Sequence, residues 1–313
     1  MAQKIELSNG RIVNVPNFDV RIEQTQNELN FSYQGINNDG LSERFLLCQT
    51  VFDYERSAVV LGDGFQMLCQ TTGTAFAPTP VGRCPDNSST YRIYPPRDPQ
   101  RYYNYMVIES SSGYALFGFT SCHRFAGYFE FEHRDNHTLV NAYLDGENSH
   151  PQDWSSNQLE SMVFLQGESL SELYTEFSRL IETHHPKRDG VSVNAPIGWC
   201  SWYAYYADVK QQDIVDNLEA MHSDLTSLEY VLIDDGYQAF MGDWLTPSDK
   251  FPSGIHSLIQ AIKSKGKKPA IWLAPFIAQP ESQLFQQHPD WFVTHENGQP
   301  LKAEDITYAG WRC

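Results

Sequence analysis

The 313-residue sequence predicts a β + α/β fold, in which an N-terminal β-sandwich precedes strands and helices that alternate around a parallel sheet. The first observation is that residues 1–165 alternate apolar and polar side chains in short runs, without a helical period. The second is that, from Ala195 onward, strand-like runs alternate with helical patterns, which is typical of parallel sheets. We therefore divide the chain into residues 1–165, a helical linker at 166–194, and an α/β part at 195–313.

The N-terminal part has the sequence features of a β-sandwich, because many short strands are separated by turn residues and are rich in tyrosine and phenylalanine. The clearest runs and turns are strands at residues 45–51, 106–109 and 114–119, and turns at 38–40, 63–64, 111–113 and 145–146.

One helix is predicted over residues 169–182, where apolar side chains recur at helical spacing. Ser169 and Glu172 form the S-x-x-E pattern of a capping box at its start. Pro186 ends the helix, because proline disfavours a helical conformation in the residue before it. His184 and His185 could be ligands, but we interpret them as a solvated helix end, where histidine complements the helix dipole.

The α/β part reads as β-α-β-α-β, with strands at residues 196–202, 228–233 and 268–275. Asp208 is expected to cap the first helix, with Gln211 at its third position. Ser253 is expected to cap the second helix, and Gly266 to end it. The first helix has one apolar stripe, formed by Ile214, Val215, Leu218 and Met221. A further helix is predicted near residues 280–288, and a polar turn follows at Asn297-Gly298.

Composition narrows the function classes. The formal charge is −17, which disfavours nucleic acid and anionic membranes as partners, whereas a neutral sugar is not repelled. There is no apolar run of the roughly 18 residues that a membrane span requires, and the first residues do not resemble a signal peptide. The six cysteines form no C-x-x-C pair, so we expect free thiols, a cytoplasmic protein, no metal site and no cofactor.

The carboxyl ends of the three predicted parallel strands carry aromatic and acidic residues, namely Trp202 and Tyr203, Asp234 and Asp235, and Trp272. In a (β/α)8 barrel these ends form the active site. Aromatic faces pack on the C–H faces of sugars, and carboxylates accept hydrogen bonds from sugar hydroxyls.

The residues themselves leave alternatives open. Asp234 and Asp235 could be a sugar clamp, a catalytic acid pair, or part of an Asp-Asp-Gly turn. Trp202 and Trp272 could instead fill a core. Cys200 reads as a small buried apolar residue rather than a nucleophile.

The ordered motifs of residues 195–313 resemble those of family 36 glycoside hydrolases, which are mainly microbial α-galactosidases of the melibiase-like clan D. The motifs are Gly198-Trp199-Cys200-Ser201-Trp202-Tyr203, Ile233-Asp234-Asp235-Gly236-Tyr237-Gln238, Gly242-Asp243-Trp244-Leu245, Lys250-Phe251-Pro252, Trp272-Leu273-Ala274-Pro275-Phe276 and His288-Pro289-Asp290-Trp291. The resemblance implies a β-supersandwich followed by the first part of a (β/α)8 barrel.

The resemblance also implies roles for individual residues. Asp234 and Asp235 match the aspartate pair that binds galactose hydroxyls at C4 and C6. Trp202, with Tyr203 beside it, and Trp272 match walls of the pocket. Phe65 matches an aromatic residue that the N-terminal domain projects over the barrel mouth, although the family more often has tryptophan there.

The same resemblance implies retaining hydrolysis, which needs a nucleophile and an acid/base. In this family the nucleophile lies in a Lys-x-Asp motif on the fourth barrel strand, and the acid/base lies near the sixth. We expect both beyond Cys313, since three of eight strands are recognisable. Asp243, as a loop or substrate-lining residue, and Asp305, in a polar loop, are not nucleophiles in this interpretation.

The expected function is therefore that of an α-galactosidase acting on α-galactoside oligosaccharides such as melibiose and raffinose, with this 313-residue chain inactive by itself. The alternatives are a galactosyltransferase of the raffinose-synthase type and a non-catalytic sugar-binding remnant. For the full-length form the resemblance implies a homo-oligomer, such as a tetramer.

Overall fold

The computed structural model describes residues 3–25, 28–35, 44–66, 68–82, 85–87, 93–146, 150, 155–192, 194–302, 307–308 and 311–312, the last four by their backbone. The predicted turn at 38–40, together with Cys84, Asp305 and Cys313, lies outside these residues. The chain forms two compact units, Met1–Asp189 and Gly190–Cys313. The helix predicted in the linker belongs to the first unit.

The first unit is a 13-stranded antiparallel sheet, which confirms the predicted β-rich N-terminal part. The predicted runs lie in β5, β9 and β10. The strands are β1 Gln3–Glu6, β2 Ile12–Val15, β3 Val20–Gln24, β4 Leu29–Tyr33, β5 Arg44–Val51, β6 Val59–Asp63, β7 Gln70–Thr74, β8 Ala77–Pro80, β9 Tyr102–Ser110, β10 Gly113–Phe119, β11 Gly127–His133, β12 Thr138–Asp145 and β13 Met162–Gly167.

The sheet has the order β1-β2-β5-β12-β11-β9-β10-β13-β4-β3, and β6, β7 and β8 branch from β9. It curls until its two end strands meet, since the Gln3 side-chain amide on β1 donates to the Val20 carbonyl on β3 at 3.0 Å. The curled sheet encloses an apolar core that includes Val13, Phe31 and Leu47. A continuous curled sheet thus buries the alternate side chains of its strands, as their period of two requires.

Helix α1, Leu170–His184, packs on this sheet and begins as predicted, with the Ser169 hydroxyl accepting the Glu172 N–H at 3.3 Å. Its buried face has three members: Leu173, Phe177 and Leu180. Our interpretation of a solvated helix end is wrong, because the His184 Nε2 lies 2.9 Å from the Glu28 carboxylate. Packing against the sheet brings Glu28 to this helix end, a long-range effect that local sequence does not contain.

The second unit contains a parallel three-stranded sheet, ordered β14-β15-β16, which confirms the predicted α/β pattern. In register, Cys200 lies opposite Leu232, and Ile233 lies opposite Ile271. The elements are β14 Gly198–Cys200, α2 Trp202–Tyr205, α3 Gln211–Ala220, β15 Tyr230–Ile233, α4 Gly254–Ser264, β16 Lys268–Ile271, α5 Gln283–Gln287, β17 Thr307–Tyr308 and β18 Trp311–Arg312.

The start of this unit differs from the prediction in two places. The first strand ends at Cys200, and Trp202 begins helix α2 instead of ending the strand. Asp208 lies in a 3₁₀ turn, and α3 starts at Gln211 with Lys210 as its N-cap. The Lys210 N–H donates to the Asp213 carboxylate at 2.8 Å. Val209 is fully buried, which holds the chain in a turn before the helix can begin.

Helices α3 and α4 pack on the sheet, and α3 does so through apolar residues that the sequence predicted. Ile214 and Leu218 of α3 pack in one core with Leu258 and Ile262 of α4 and with Val231 of the sheet. Gly266 follows α4 with a φ of +71°, as expected of a residue that ends a helix. In the part of the chain that the structure describes, no helix is both long and apolar enough to cross a bilayer.

The Ser169 cap predicts a measurable effect on α1. Replacing Ser169 by alanine removes the acceptor for the Glu172 N–H and should destabilise the helix by about 1 kcal/mol. We therefore expect hydrogen exchange of the peptide 170–184 to become roughly fivefold faster by mass spectrometry. Ser178→Ala, at an exposed interior position of α1, is the matched control and should not accelerate exchange. Equal behaviour of the two variants would show that the cap does not stabilise the helix.

Candidate functional site

Asp234 lies directly after β15 and is held by the end of the neighbouring strand. Its backbone N–H donates to the Ser201 hydroxyl at 2.9 Å. Its carboxylate accepts the Asp235 N–H on Oδ1 at 2.8 Å and the Cys200 thiol on Oδ2 at 3.3 Å. The side chain is half-buried. Asp234 therefore has a defined orientation while part of it stays accessible to solvent.

Asp235 has a different environment from its neighbour. It is 5% exposed, and its Oδ1 accepts a hydrogen bond from the Gln238 amide at 2.6 Å. Burial raises the pKa of Asp235, and the nearby charge of Asp234 acts in the same direction. The Gln238 and Gly236 hydrogen bonds and the charge of Lys250 oppose that rise. The two adjacent carboxyl groups are thus chemically distinct.

Gly236 explains why a glycine follows the two aspartates. Its φ is +106°, and a Cβ atom at this position would lie 2.5 Å from the Ala207 carbonyl oxygen. The same carbonyl accepts a hydrogen bond from the Lys250 ammonium. The turn after β15 thus lies directly against the segment after α2, and a side chain would separate them.

The aromatic residues at the other strand ends are partly open to solvent. Trp202 begins α2, is half-buried, and contacts Tyr206 edge-to-face at a centroid distance of 5.2 Å. Tyr203 is 84% exposed. Trp272 follows β16, is also half-buried, and contacts Trp244 edge-to-face at 5.9 Å. Neither Trp202 nor Trp272 is a buried core residue, so both indoles retain accessible surface.

The backbone ties the third strand end to the second. The Trp272 N–H donates to the Ile233 carbonyl at 3.0 Å, and the Trp272 carbonyl accepts the Tyr237 hydroxyl at 3.3 Å. With the Ser201–Asp234 bond, these contacts bring the ends of β14, β15 and β16 to one edge of the sheet. Four of the residues predicted for the site lie within two residues of these strand ends, namely Trp202, Asp234, Asp235 and Trp272.

Phe65 belongs to the first unit, and its contacts lie within that unit. Its ring contacts Tyr103 edge-to-face at 5.3 Å, and its N–H donates to the Asp86 carboxylate at 2.7 Å. The side chain is 48% exposed. Phe65 is therefore a fixed and accessible aromatic residue, and its place over a barrel mouth stays a prediction.

Two residues act differently from what sequence alone suggested. Cys200 is half-buried and bonds to Asp234, whereas we expected a small buried apolar residue. The Asp243 carboxylate accepts the N–H groups of Gln283 at 3.2 Å and Leu284 at 3.3 Å. Asp243 lies in a loop, as one of the two alternatives had it, and accepts hydrogen bonds from the start of α5. Both contacts join distant segments, so no local pattern indicates them.

Metal and disulfide chemistry have no counterpart in the described residues. They contain no group of three or more histidine, cysteine, aspartate or glutamate side chains arranged to hold a metal ion. Cys48, Cys69, Cys122 and Cys200, the cysteines that the structure describes, are free thiols.

Comparisons with known proteins agree with this geometry. The family model described as Melibiase matches residues 156–306. A bifunctional α-galactosidase/sucrose kinase of Mediterraneibacter gnavus is 26% identical over 153 residues, which are 47% of this chain and 16% of that protein. An α-galactosidase of Escherichia coli is 31% identical over 106 residues, which are 32% of this chain and 15% of that protein. The matched part is thus a small fraction of either relative.

Solved structures show the same fold over nearly the whole chain. An α-galactosidase from Thermus thermophilus, in complex with p-nitrophenyl α-D-galactopyranoside, has a TM-score of 0.68 at 19% identity, covering 97% of this chain and 55% of that one. The family 36 α-galactosidase AgaB from Geobacillus stearothermophilus has a TM-score of 0.55 at 16% identity, covering 92% and 42%. The resemblance to family 36 α-galactosidases is confirmed, and this chain corresponds to a part of such proteins.

The burial of Asp235 predicts an unusual pH dependence of stability. Its folded pKa lies above the ordinary value of 3.8, so between these two values the folded protein holds the proton more tightly than the unfolded chain. The stability that protonated Asp235 contributes is therefore complete below pH 3.8, and it is lost as the pH rises through the pKa of Asp235 in the folded protein. In Asp235→Asn this loss should be absent.

The measurement is urea unfolding of both proteins from pH 3.5 to 7, followed by tryptophan fluorescence. The free energy of unfolding of wild type minus that of Asp235→Asn should fall as pH rises. Asp224→Asn replaces an exposed carboxylate in the same unit, and its difference from wild type should stay nearly constant. If the free energy of unfolding of wild type minus that of Asp235→Asn rose with pH, the raised pKa of Asp235 would be contradicted.

Proposed function

Because the chain resembles part of the family 36 α-galactosidases, we propose that it carries the galactose-recognition portion of an α-galactosidase. One observation carries the proposal: an aspartate pair lies between two accessible indoles where three parallel strands end together. Ligands of open parallel α/β units bind at this edge. The formal charge of −17 is compatible with this ligand, because binding a neutral sugar requires no net positive charge.

The two aspartates would accept hydrogen bonds from the ligand's hydroxyl groups. Hydrogen bonds to a carboxylate are roughly twice as strong as those between neutral groups, and their geometry selects the orientation of a hydroxyl. Asp234 is the accessible member, whereas Asp235 is buried and bonded to Gln238. We assign to this pair the hydroxyls at C4 and C6 of galactose, as the family resemblance implies.

The aromatic residues would bind the apolar faces of the sugar. Trp202 and Trp272 are half-buried and are each fixed by an edge-to-face contact, so little side-chain entropy remains to be lost when a ring packs on them. Tyr203 and Phe65 are the further contacts that we propose. This combination of fixed aromatic faces and carboxylates fits a neutral hexose such as the terminal residue of melibiose or raffinose.

Bond cleavage requires two further carboxyl groups, because a retaining glycosidase uses one as a nucleophile and the other as an acid/base. We propose that the Lys-x-Asp nucleophile and the acid/base of the family are supplied by later barrel strands. Asp234 and Asp235 are then binding residues, and no cofactor takes part. This division of roles would make the chain of residues 1–313 a galactose-binding protein without turnover.

Compartment and assembly complete the proposal. The free thiols at Cys48, Cys69, Cys122 and Cys200 favour a reducing compartment, and we propose a cytoplasmic protein. We also propose that the full-length form is a homo-oligomer, such as a tetramer. A galactosyltransferase of the raffinose-synthase type would use the same recognition residues, so product analysis with the complete protein must separate transfer from hydrolysis.

The recognition role predicts a loss of galactose binding in Asp234→Asn. Removing a charged hydrogen-bond acceptor from a sugar site costs about 1.5–3 kcal/mol, or roughly ten- to a hundredfold in affinity. Titration of the 313-residue chain with galactose, followed by NMR, should show this weakening, whereas Asp224→Asn should bind like wild type. Glucose, which differs at C4, serves as the specificity control.

Turnover is measured on the same samples with p-nitrophenyl α-galactoside. We expect none from the 313-residue chain. Sustained release of nitrophenol would show that the chain holds a complete catalytic pair and would refute the assignment of Asp234 and Asp235 to binding alone.

A further inference from the structure

The carboxylate of Asp234 is held by two donors of different kinds. Its Oδ1 accepts the N–H of Asp235 at 2.8 Å, and its Oδ2 lies 3.3 Å from the Cys200 sulfur. The next residue, Ser201, accepts the Asp234 N–H through its hydroxyl at 2.9 Å. Two consecutive residues at the end of β14 therefore fix both the backbone and the side chain of Asp234.

In this contact the thiol is the donor. The Cys200 sulfur donates its hydrogen atom, and Oδ2 of Asp234 accepts it. Burial raises the pKa of Cys200, the hydrogen bond and the charge of Asp234 raise it further, and the backbone N–H groups of Trp202 and Tyr203 oppose the rise. The thiol therefore stays protonated near neutral pH, which suits a hydrogen-bond donor and disfavours a nucleophile.

The remaining acceptor capacity of Asp234 matches a sugar ligand. A carboxylate offers about four lone-pair positions on its two oxygens. The Asp235 N–H occupies one on Oδ1, and the Cys200 thiol occupies one on Oδ2. About one position on each oxygen remains, so a carboxylate held in this way can accept a hydroxyl on either oxygen.

We infer that Cys200 is a positioning residue for sugar recognition, because its thiol holds Asp234 Oδ2 in the orientation that accepts the ligand's hydroxyls. This inference rests on the proposed function. The terminal torsion of aspartate is broad and has no strong preference of its own, so without the thiol the carboxylate can turn about that bond. A turned carboxylate would have to be reoriented upon binding, at a cost in affinity.

The choice of residue follows from the geometry. Alanine at position 200 would leave Asp234 Oδ2 without its protein donor, whereas serine would keep a donor at nearly the same place. If Cys200 acted through packing alone, the alanine and serine variants would weaken binding equally. The pair Cys200→Ala and Cys200→Ser therefore separates hydrogen bonding from packing.

The first experiment tests the thiol–carboxylate contact without any sugar. The rate at which iodoacetamide alkylates Cys200 is measured against pH by mass spectrometry of the peptide that contains it, since the thiolate is the reactive form. In Asp234→Asn the apparent pKa of Cys200 should fall, because an acceptor and a negative charge are removed. The control Asp224→Asn should leave the profile unchanged. A Cys200 profile that is identical in wild type and Asp234→Asn would overturn the inference.

The second experiment compares galactose affinity in the 313-residue chain by NMR titration. Cys200→Ala should bind about fivefold more weakly or worse, and Cys200→Ser should recover most of that loss. Cys122→Ala removes an exposed thiol of the first unit and should bind like wild type. Wild-type affinity in Cys200→Ala, or a serine variant as weak as the alanine variant, would overturn the positioning role.

The two experiments also separate this inference from the proposed function. If wild type does not bind galactose, the recognition role of the site is refuted, while the alkylation profile still decides whether Cys200 donates to Asp234. If wild type binds galactose and Cys200→Ala binds equally well, the proposed function stands and the role of Cys200 is refuted.

Discussion

The parallel pairing of β14 with β15 is the constraint on which the candidate site depends. Its register places Cys200 opposite Leu232, so the chain leaves both strands at the same level, with Ser201 and Asp234 side by side. The bond from the Asp234 N–H to the Ser201 hydroxyl continues the pairing for one more step with a side chain in place of a backbone carbonyl. A slip of one residue would turn Cys200 and Asp234 to opposite faces and abolish their contact.

The two adjacent aspartates show how one strand end can produce two environments. Consecutive residues of a strand face opposite sides, so Asp234 and Asp235 point in different directions. Gly236 lets the chain turn directly after Asp235, which stays buried. Asp234 stays at the accessible edge and is held by the end of the neighbouring strand. Asp235 is buried in the turn that follows β15, where the Gln238 side-chain amide donates to it. An accessible carboxylate with fixed orientation can meet a ligand, and a buried one can hold the turn that presents it.

Much of this architecture follows from local sequence. The period-two runs and turn residues predicted the β-rich unit, and the Ser169 cap and the apolar stripe of α3 follow from helical spacing. The parallel order also follows, because a helix between two strands returns the chain to the edge where the first strand began, so the next strand runs parallel to it. Local sequence therefore predicted the β-rich unit, helix α1 and the parallel order of the three later strands.

The parts that could not be predicted share one property, since each depends on a contact between segments far apart in the chain. His184 contacts Glu28, Asp243 accepts from the start of α5, and α3 begins three residues after Asp208 because Val209 enters the core. Cys200 belongs to the same group. Its sequence neighbours predict a small buried residue, and only the sheet register reveals a carboxylate beside it.

The residues at this edge of the sheet differ in exposure and in the contacts that hold them. Of the site residues that the sequence motifs reveal, Trp202, Asp234 and Trp272 are half-buried, whereas Asp235 is buried. The groups that hold the two aspartates are Ser201 and Cys200 on Asp234 and Gln238 on Asp235; they belong to the same motifs, but the motifs do not reveal these contacts. A sugar site needs both sets, because an aspartate with a free terminal torsion must lose entropy on binding that a fixed aspartate has already lost. Under the proposed function, the affinity of this edge for a sugar would depend on the register of the sheet as much as on the residues that touch the ligand.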